Sequence, residues 1–167
     1  LNPSHFRGLG AITLQEPESA YRQLVRLKND FGFSGVEIGS NINGVLLGDD
    51  VLAPFWAAAE ALDMAVFVHA LHPLATKNLN VSPIYTALAG FPIDMGMAIS
   101  SLLLGGVVER YPRLRIGFSH GGGTIGAMLG RLDLGWQQTE GFGGTITAKP
   151  SEQLKRCFFD SNVYDGQ

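Results

Sequence analysis

Apolar residues along this chain fall into two alternating patterns. Five short runs read as strands: residues 6–12, 35–39, 65–70, 114–120 and 157–162. Between them, apolar positions recur with helical spacing over residues 18–31, 49–63, 94–111 and 122–136. Glu16-Pro17-Glu18 suits a helix start, with proline early and carboxylates in the first turn. Pro112 stops the helix that carries Val107, Val108 and Tyr111. Residues 74–92 predict a long loop with a short helix, and residues 141–150 a glycine-rich loop. Strand–helix alternation predicts an α/β fold with a parallel sheet and right-handed crossovers, residues 1–167 forming a single domain. Two forms compete. An open doubly wound sheet can be complete at this length. A (β/α)8 barrel needs about 250 residues, so five units make roughly five-eighths of one.

Strand alternation then places the candidate chemistry. In residues 65–69, Ala65, Phe67 and His69 share one face, and Val66 and Val68 the other. In residues 116–120, the same reading groups Ile116, Phe118 and His120, with Gly117 and Ser119 opposite. Both runs end in a histidine two residues after a phenylalanine. The C-terminal strand ends of a parallel α/β protein carry its ligand site, so His69 and His120 are expected to face one cavity. Imidazole there can hold a metal or move a proton near neutral pH. A single histidine at such a place is as readily a core group bonded to backbone; two at equivalent strand ends favour function.

The stretch G-F-S-H-G-G-G, residues 117–123, also fits G-x-S-x-G, which would make Ser119 the nucleophile of a serine hydrolase. The base of that arrangement usually follows the serine in the chain. The histidines here are His5, His69, His72 and His120, and none lies beyond the turn. His120 is therefore preferred to Ser119. Gly121, Gly122 and Gly123 permit positive φ and close backbone approach. A helix starting there would aim free N–H groups at an anion such as a substrate carboxylate, or the glycines serve tight packing. Asn41 and Asn43, after the second strand, are further candidates for substrate contact. Glu37 lines the pocket or fills a layer with a hydrogen-bonded partner. His72 faces away from His69 on an extended strand unless a loop bend returns it. Asp160, Trp56 and Trp136 read as structural groups, and Cys157 as a buried thiol with no sign of reactivity.

Composition narrows the classes. Apolar residues make up 46% and charged residues 16% of 167, which describes a well-buried globular chain. The net charge is -3 with no basic cluster, so nucleic acid and anionic membranes are poor partners. Cys157 is the single cysteine, which excludes an internal disulfide and suits a reducing, cytoplasmic setting. The longest apolar stretch, residues 95–108, is interrupted by serines and glycines and reads as too short and mixed to span a membrane.

Seven segments together resemble the amidohydrolase-related metal-dependent family, close to its aminocarboxymuconate-semialdehyde decarboxylase branch. They are F-R-G-L-G from Phe6, G-F-S-G-V-E-I-G from Gly32, A-V-F-V-H from Ala65, G-G-V-V-E-R-Y-P-R-L-R from Gly105, S-H-G-G-G from Ser119, G-R-L from Gly130 and F-F-D-S-N-V-Y-D from Phe158. The resemblance implies a partial (β/α)8 TIM barrel of about five βα units, lacking first and last strands, and so overrules the length argument for an open sheet. It implies nonoxidative decarboxylation of an unsaturated or aromatic carboxylic acid, assisted by a divalent metal, zinc or in some members manganese. His69 falls on the family's strand-end metal ligand. His120 falls on the histidine that shuttles protons between metal-bound water and the reacting carbon. Arg131 falls on an arginine that reaches a neighbouring subunit's site and holds a substrate carboxylate, which implies a homodimer or higher homo-oligomer.

The chain also departs from that pattern. The family's first strand carries H-x-H, which is absent here, and its last metal ligand is an aspartate that would lie beyond residue 167. One histidine does not make a metal site of three or more ligands. The chain is thus expected to be the middle of a longer enzyme, with no competent metal site by itself. Thr139 stands where the branch tends to carry a second arginine, which bears on the aminocarboxymuconate substrate. A related hydrolase, a serine hydrolase using Ser119 and a non-catalytic barrel fragment are the alternatives.

Overall fold

Val36, Ile38, Val66, Val68, Ile116 and Phe118 alternate along three strand-forming runs, and all six are buried on one face of one sheet. That face sets the fold. The computed structural model describes residues 2–164. Its main sheet is built from β1 (Leu9–Ala11), β2 (Gly35–Gly39), β5 (Ala65–His69), β6 (Ile116–Phe118) and β7 (Phe158–Phe159), every pairing parallel. The order across the sheet follows the order along the chain. A doubly wound sheet reverses its order at a switch point, and none occurs among the described strands. Sequential winding is that of a barrel arc, the form the resemblance implies.

Helices cover the buried face. In α1 (Ala20–Phe31), Ala20 and Leu24 are buried one turn apart, and Gly32 at φ 67 closes the helix, donating its N–H to the Lys28 carbonyl. In α2 (Ala53–Ala61), Phe55, Trp56, Ala58 and Ala59 enter the core, and the Trp56 indole donates to the Leu47 carbonyl. The packing role expected for Trp56 is thus observed. The region expected as a loop at 74–92 contains α3 (Pro83–Tyr85) and a wider π turn, Thr86–Gly90, running into α4 (Phe91–Leu104).

This continuous 22-residue helix has a mean hydropathy of 1.6 over its most apolar window, enough by length and composition to cross a bilayer. The interrupted stretch at 95–108 does not suggest that. Met95, Ala98, Ile99, Leu102 and Leu103 recur at helical spacing and are buried in the core instead. The helix expected over 94–111 is split, because Gly106 at φ 69 separates α4 from α5 (Val107–Arg110).

Beyond the sheet lie α6 (Ile125–Gln138), α7 (Glu140–Gly144) and α8 (Pro150–Leu154). Gly141, Phe142 and Gly143 all have positive φ, so α7 is a left-handed turn within the expected glycine-rich loop. A small antiparallel hairpin, β3 (Asn41–Ile42) with β4 (Val45–Leu46), follows β2. Its turn is Asn43-Gly44, at φ 52 and 94, the pair preferred for a type I′ turn. The strong local signal N-G between apolar residues could have revealed this hairpin.

Candidate functional site

The core-facing row of the sheet leaves the alternate row open. On β5, Val66 and Val68 are buried, while Ala65, Phe67 and His69 face the opposite, partly open side. The face expected for His69 is observed. Glu37 stands beside Phe67 in the register and is exposed on that side. It has no hydrogen-bond partner among the described contacts, so the layer-filling reading with a bonded partner does not hold.

His120 reaches the same place by another route. Phe118 is in register with Val68 and is fully buried on the helical side, while Gly117 is in register with Phe67. The expected grouping of Ile116, Phe118 and His120 on one face is therefore corrected. The strand ends at Phe118, and the following turn takes His120 to φ 54, a left-handed conformation that costs about 1–2 kcal/mol for a residue with a Cβ. Period-two alternation stops where the strand stops. The resulting geometry nonetheless brings the imidazoles of His69 and His120 together, ring centroids 5.5 Å apart.

Phe91 from α4 lies 5.6 Å from the His120 ring. Asn162 Nδ2 is 3.4 Å from His120 Nδ1. His69 Nδ1 and His120 Nε2 are both buried without a hydrogen-bond partner. Burial, then the neighbouring His69, lower the His120 pKa below its ordinary value, opposed by the Asp160 carboxylate. The imidazole is thus held neutral near pH 7. Orphaned ring nitrogens at a strand end fit a metal ligand on His69, but only in part. No cluster of three or more His, Cys, Asp or Glu donors occurs among the described residues. A catalytic metal site needs at least three protein ligands, so the donors present do not by themselves make one.

The glycine turn behaves differently from the anion cradle expected of it. The Gly121 N–H donates to Asp160 Oδ1 at 2.8 Å, Gly122 to the Ser119 carbonyl and Gly123 to the His120 carbonyl. Those amides are spent within the protein. A Cβ on Gly121 would collide with Val163, and one on Gly122 with Phe159, so tight packing accounts for both glycines. Asp160 has the structural role expected, accepting also from the Asn162 N–H.

Ser119 is 1% exposed and its Oγ has no hydrogen-bond partner. No histidine engages it, and nothing supports the serine-hydrolase reading. Cys157 is half-buried, with burial pushing its thiol pKa up to about 11, far from a reactive thiolate.

Asn41 lines a cavity of about 540 Å³ at the exits of β1, β2 and β5. The imidazole pair does not line it, although its wall residue Gly39 pairs with His69 across the sheet. His72 is exposed at φ 52 and lines this cavity, its carbonyl accepting from Asn41 Nδ2 at 3.3 Å. The loop bend does not return it to His69 as a ligand. Asn43 lies on the cavity wall at the hairpin turn. Arg131 projects from the exposed side of α6, with no ion pair among the described residues. Asp94, read from sequence only as a helix start, is a buried hub that sequence reasoning missed. It accepts hydrogen bonds from Ser40, Leu74 and Asn41.

Comparison with known proteins agrees with this geometry. A family model described as amidohydrolase matches residues 2–141. The 2-amino-3-carboxymuconate-6-semialdehyde decarboxylase of Dictyostelium discoideum is 35% identical over 98% of this chain and 46% of its own length. The gamma-resorcylate decarboxylase of Rhodococcus jostii is 30% identical over 78% of this chain and 44% of its own. Among solved structures, 5-carboxyvanillate decarboxylase from Sphingomonas paucimobilis superposes with a TM-score of 0.82 at 30% identity, covering 95% of this chain and 49% of that one. A 5-carboxyvanillate decarboxylase from Novosphingobium aromaticivorans, solved with bound manganese, gives 0.76 at 25% identity, covering 92% and 47%. The chain spans about half the length of the curated relatives it matches. With matching sequence over most of its length, a sequentially wound parallel sheet and a histidine pair at the strand ends, this chain belongs to the amidohydrolase family.

Proposed function

We propose that this chain supplies the central strands of a divalent-metal-dependent, nonoxidative decarboxylase acting on an aromatic or unsaturated carboxylic acid. The observation that carries the reading is the His69–His120 pair, two imidazoles with unpaired buried nitrogens at the exits of neighbouring parallel strands. Relatives acting on gamma-resorcylate, carboxyvanillate and aminocarboxymuconate semialdehyde support the substrate class.

His69 would be one protein ligand to the metal, completed by donors outside the described residues. Zinc suits an imidazole donor, and the manganese of the related structure makes it the second candidate. When bound, the metal would polarise the substrate and offset its negative charge. His120, held neutral near pH 7, can accept a proton and return it to the carbon that bears the carboxylate. Protonation there lets the bond to the carboxylate carbon break, its electrons returning to the conjugated system as carbon dioxide leaves. Phe91 beside the ring limits water access to that proton. Arg131, on the exposed side of α6, would hold a substrate carboxylate in the site of a partner copy, bidentate through its planar fork. That role requires a homodimer or larger homo-oligomer.

The test uses the protein of the complete open reading frame, reconstituted with zinc or with manganese. Carbon dioxide release from 2,6-dihydroxybenzoate, 5-carboxyvanillate and aminocarboxymuconate semialdehyde is the readout. At least one acid is expected to turn over, and His120→Gln to lower the rate by about 100-fold or more. Full activity in His120→Gln, or no release from any of the acids by the metal-loaded protein, overturns the reading.

A further inference from the structure

Asp94 is the one buried carboxylate among the described residues, 2% exposed, and it makes no ion pair. A carboxylate in such a place is costly unless donors surround it. Here they come from three separate segments. Oδ2 accepts a hydrogen bond from the Ser40 hydroxyl, one residue past the end of β2. Oδ1 accepts from the Leu74 N–H at 2.7 Å, in the loop that follows His69. The third donor is Asn41 Nδ2, at 3.5 Å from Oδ2. Asn41 is itself tied on both sides, giving its other amide hydrogen to the His72 carbonyl and accepting from the Gly44 N–H. Asp94 and Asn41 thus clamp the exit of β2, the hairpin β3–β4 and the loop after β5 onto α4.

Those clamped segments form much of the wall of the 540 Å³ cavity. The volume falls in the range typical of small-molecule sites, about 300–1,000 Å³. Ile12, Leu14 and Ile42 give it an apolar side, Asn43 and His72 a polar edge, and Lys77 a cation. Apolar surface with a lysine at its edge is chemistry suited to an aromatic carboxylate. We propose that Asp94 is a positioning residue: its carboxylate holds the wall of this cavity in the shape that binds an aromatic carboxylic acid. The ligand class rests on the function proposed above, while the clamp rests on geometry alone.

Benzoate, which needs no turnover to be detected, is the probe, titrated into the protein of the complete open reading frame and followed by amide NMR with hydrogen exchange. Benzoate is expected to shift the Asn41 side-chain and Leu74 backbone amides. Asp94→Asn keeps an acceptor for Leu74 and removes the acceptor for Ser40 and Asn41. It is expected to weaken benzoate at least ten-fold and to accelerate Leu74 exchange, with Val66 and Val68 still protected. Asp94→Glu is expected to recover part of the affinity. Should Asp94→Asn not fold, Ser40→Ala removes one donor only and is expected to weaken benzoate about three-fold or more. Unchanged affinity in the folded variant, or a wild-type titration that moves no cavity amide, overturns the proposal. Because binding is read without catalysis, a failure of decarboxylase activity leaves this result standing and distinguishable.

Discussion

At the scale of single residues, the site depends on where polar atoms are left unpaired. His69 and His120 each keep one buried ring nitrogen free, and those atoms point to chemistry. The buried Ser119 Oγ is also unpaired, but it has no base beside it. Removing an unsatisfied buried hydroxyl leaves little to lose. Ser119→Ala is expected to change stability by less than about 1 kcal/mol in either direction, measured by urea unfolding. A loss above about 3 kcal/mol would show a structural role that the hydrogen bonds do not reveal.

Glu109 provides a second check at this scale. Burial pulls its pKa up, but the Thr147 hydroxyl and amide, the Ala148 amide and the charge of Arg156 bring it net below its ordinary value. A depressed carboxylate pKa contributes stability above the unfolded pKa and loses it as pH falls through the folded one. Wild type is therefore expected to be more stable than Glu109→Gln at pH 7. That gap should close below about pH 4 in thermal melts.

At the scale of elements, the turn after β6 does the most. Both histidines follow apolar strands, and strand periodicity alone places His69 correctly. For His120 the same argument reaches the right cavity through a wrong step, because the backbone leaves the extended region after Phe118. What makes the turn specific is close packing onto α4. Gly123 sits at φ 57 with its Cα against the Pro92 carbonyl, so a methyl there meets backbone that cannot move aside. Gly44 has positive φ as well, at 94, but faces open space. Gly123→Ala is expected to cost about 2–4 kcal/mol, and Gly44→Ala about 1 kcal/mol, in chemical denaturation. Equal losses at the two sites would mean that φ alone, and not the contact with Pro92, sets the cost.

At the scale of the whole molecule, the arc of five parallel strands carries two neighbouring imidazoles, and no cluster of three metal donors occurs among the described residues. The chain taken alone is therefore expected to bind zinc no more tightly than about 1 µM, read by isothermal titration calorimetry. His69→Ala should lower even that affinity. Nanomolar binding by the isolated chain would reveal a ligand set that the two imidazoles do not explain. The cavity at the ends of β1, β2 and β5 and the histidine pair at β5 and β6 stand side by side without merging.

Local pattern carried much of this protein. The strand at 35–39, the burial of Val66 and Val68 and the strand-end position of His69 all follow from periodicity and from residues adjacent in the chain. So does the Asn43-Gly44 turn, a signal present in the sequence but overlooked. The meeting of His69 with His120 followed less securely, since one half of the argument failed. Tertiary structure alone decided the rest: that Asp94 gathers donors from residues 40, 41 and 74, that the glycine amides are spent within the protein, and that the helix running into α4 begins at Pro83, well before its expected start. The physical reason is separation along the chain. Periodicity reports which face a residue takes within its own element, whereas buried hydrogen bonds join donors and acceptors that only packing brings within 3 Å or so of one another.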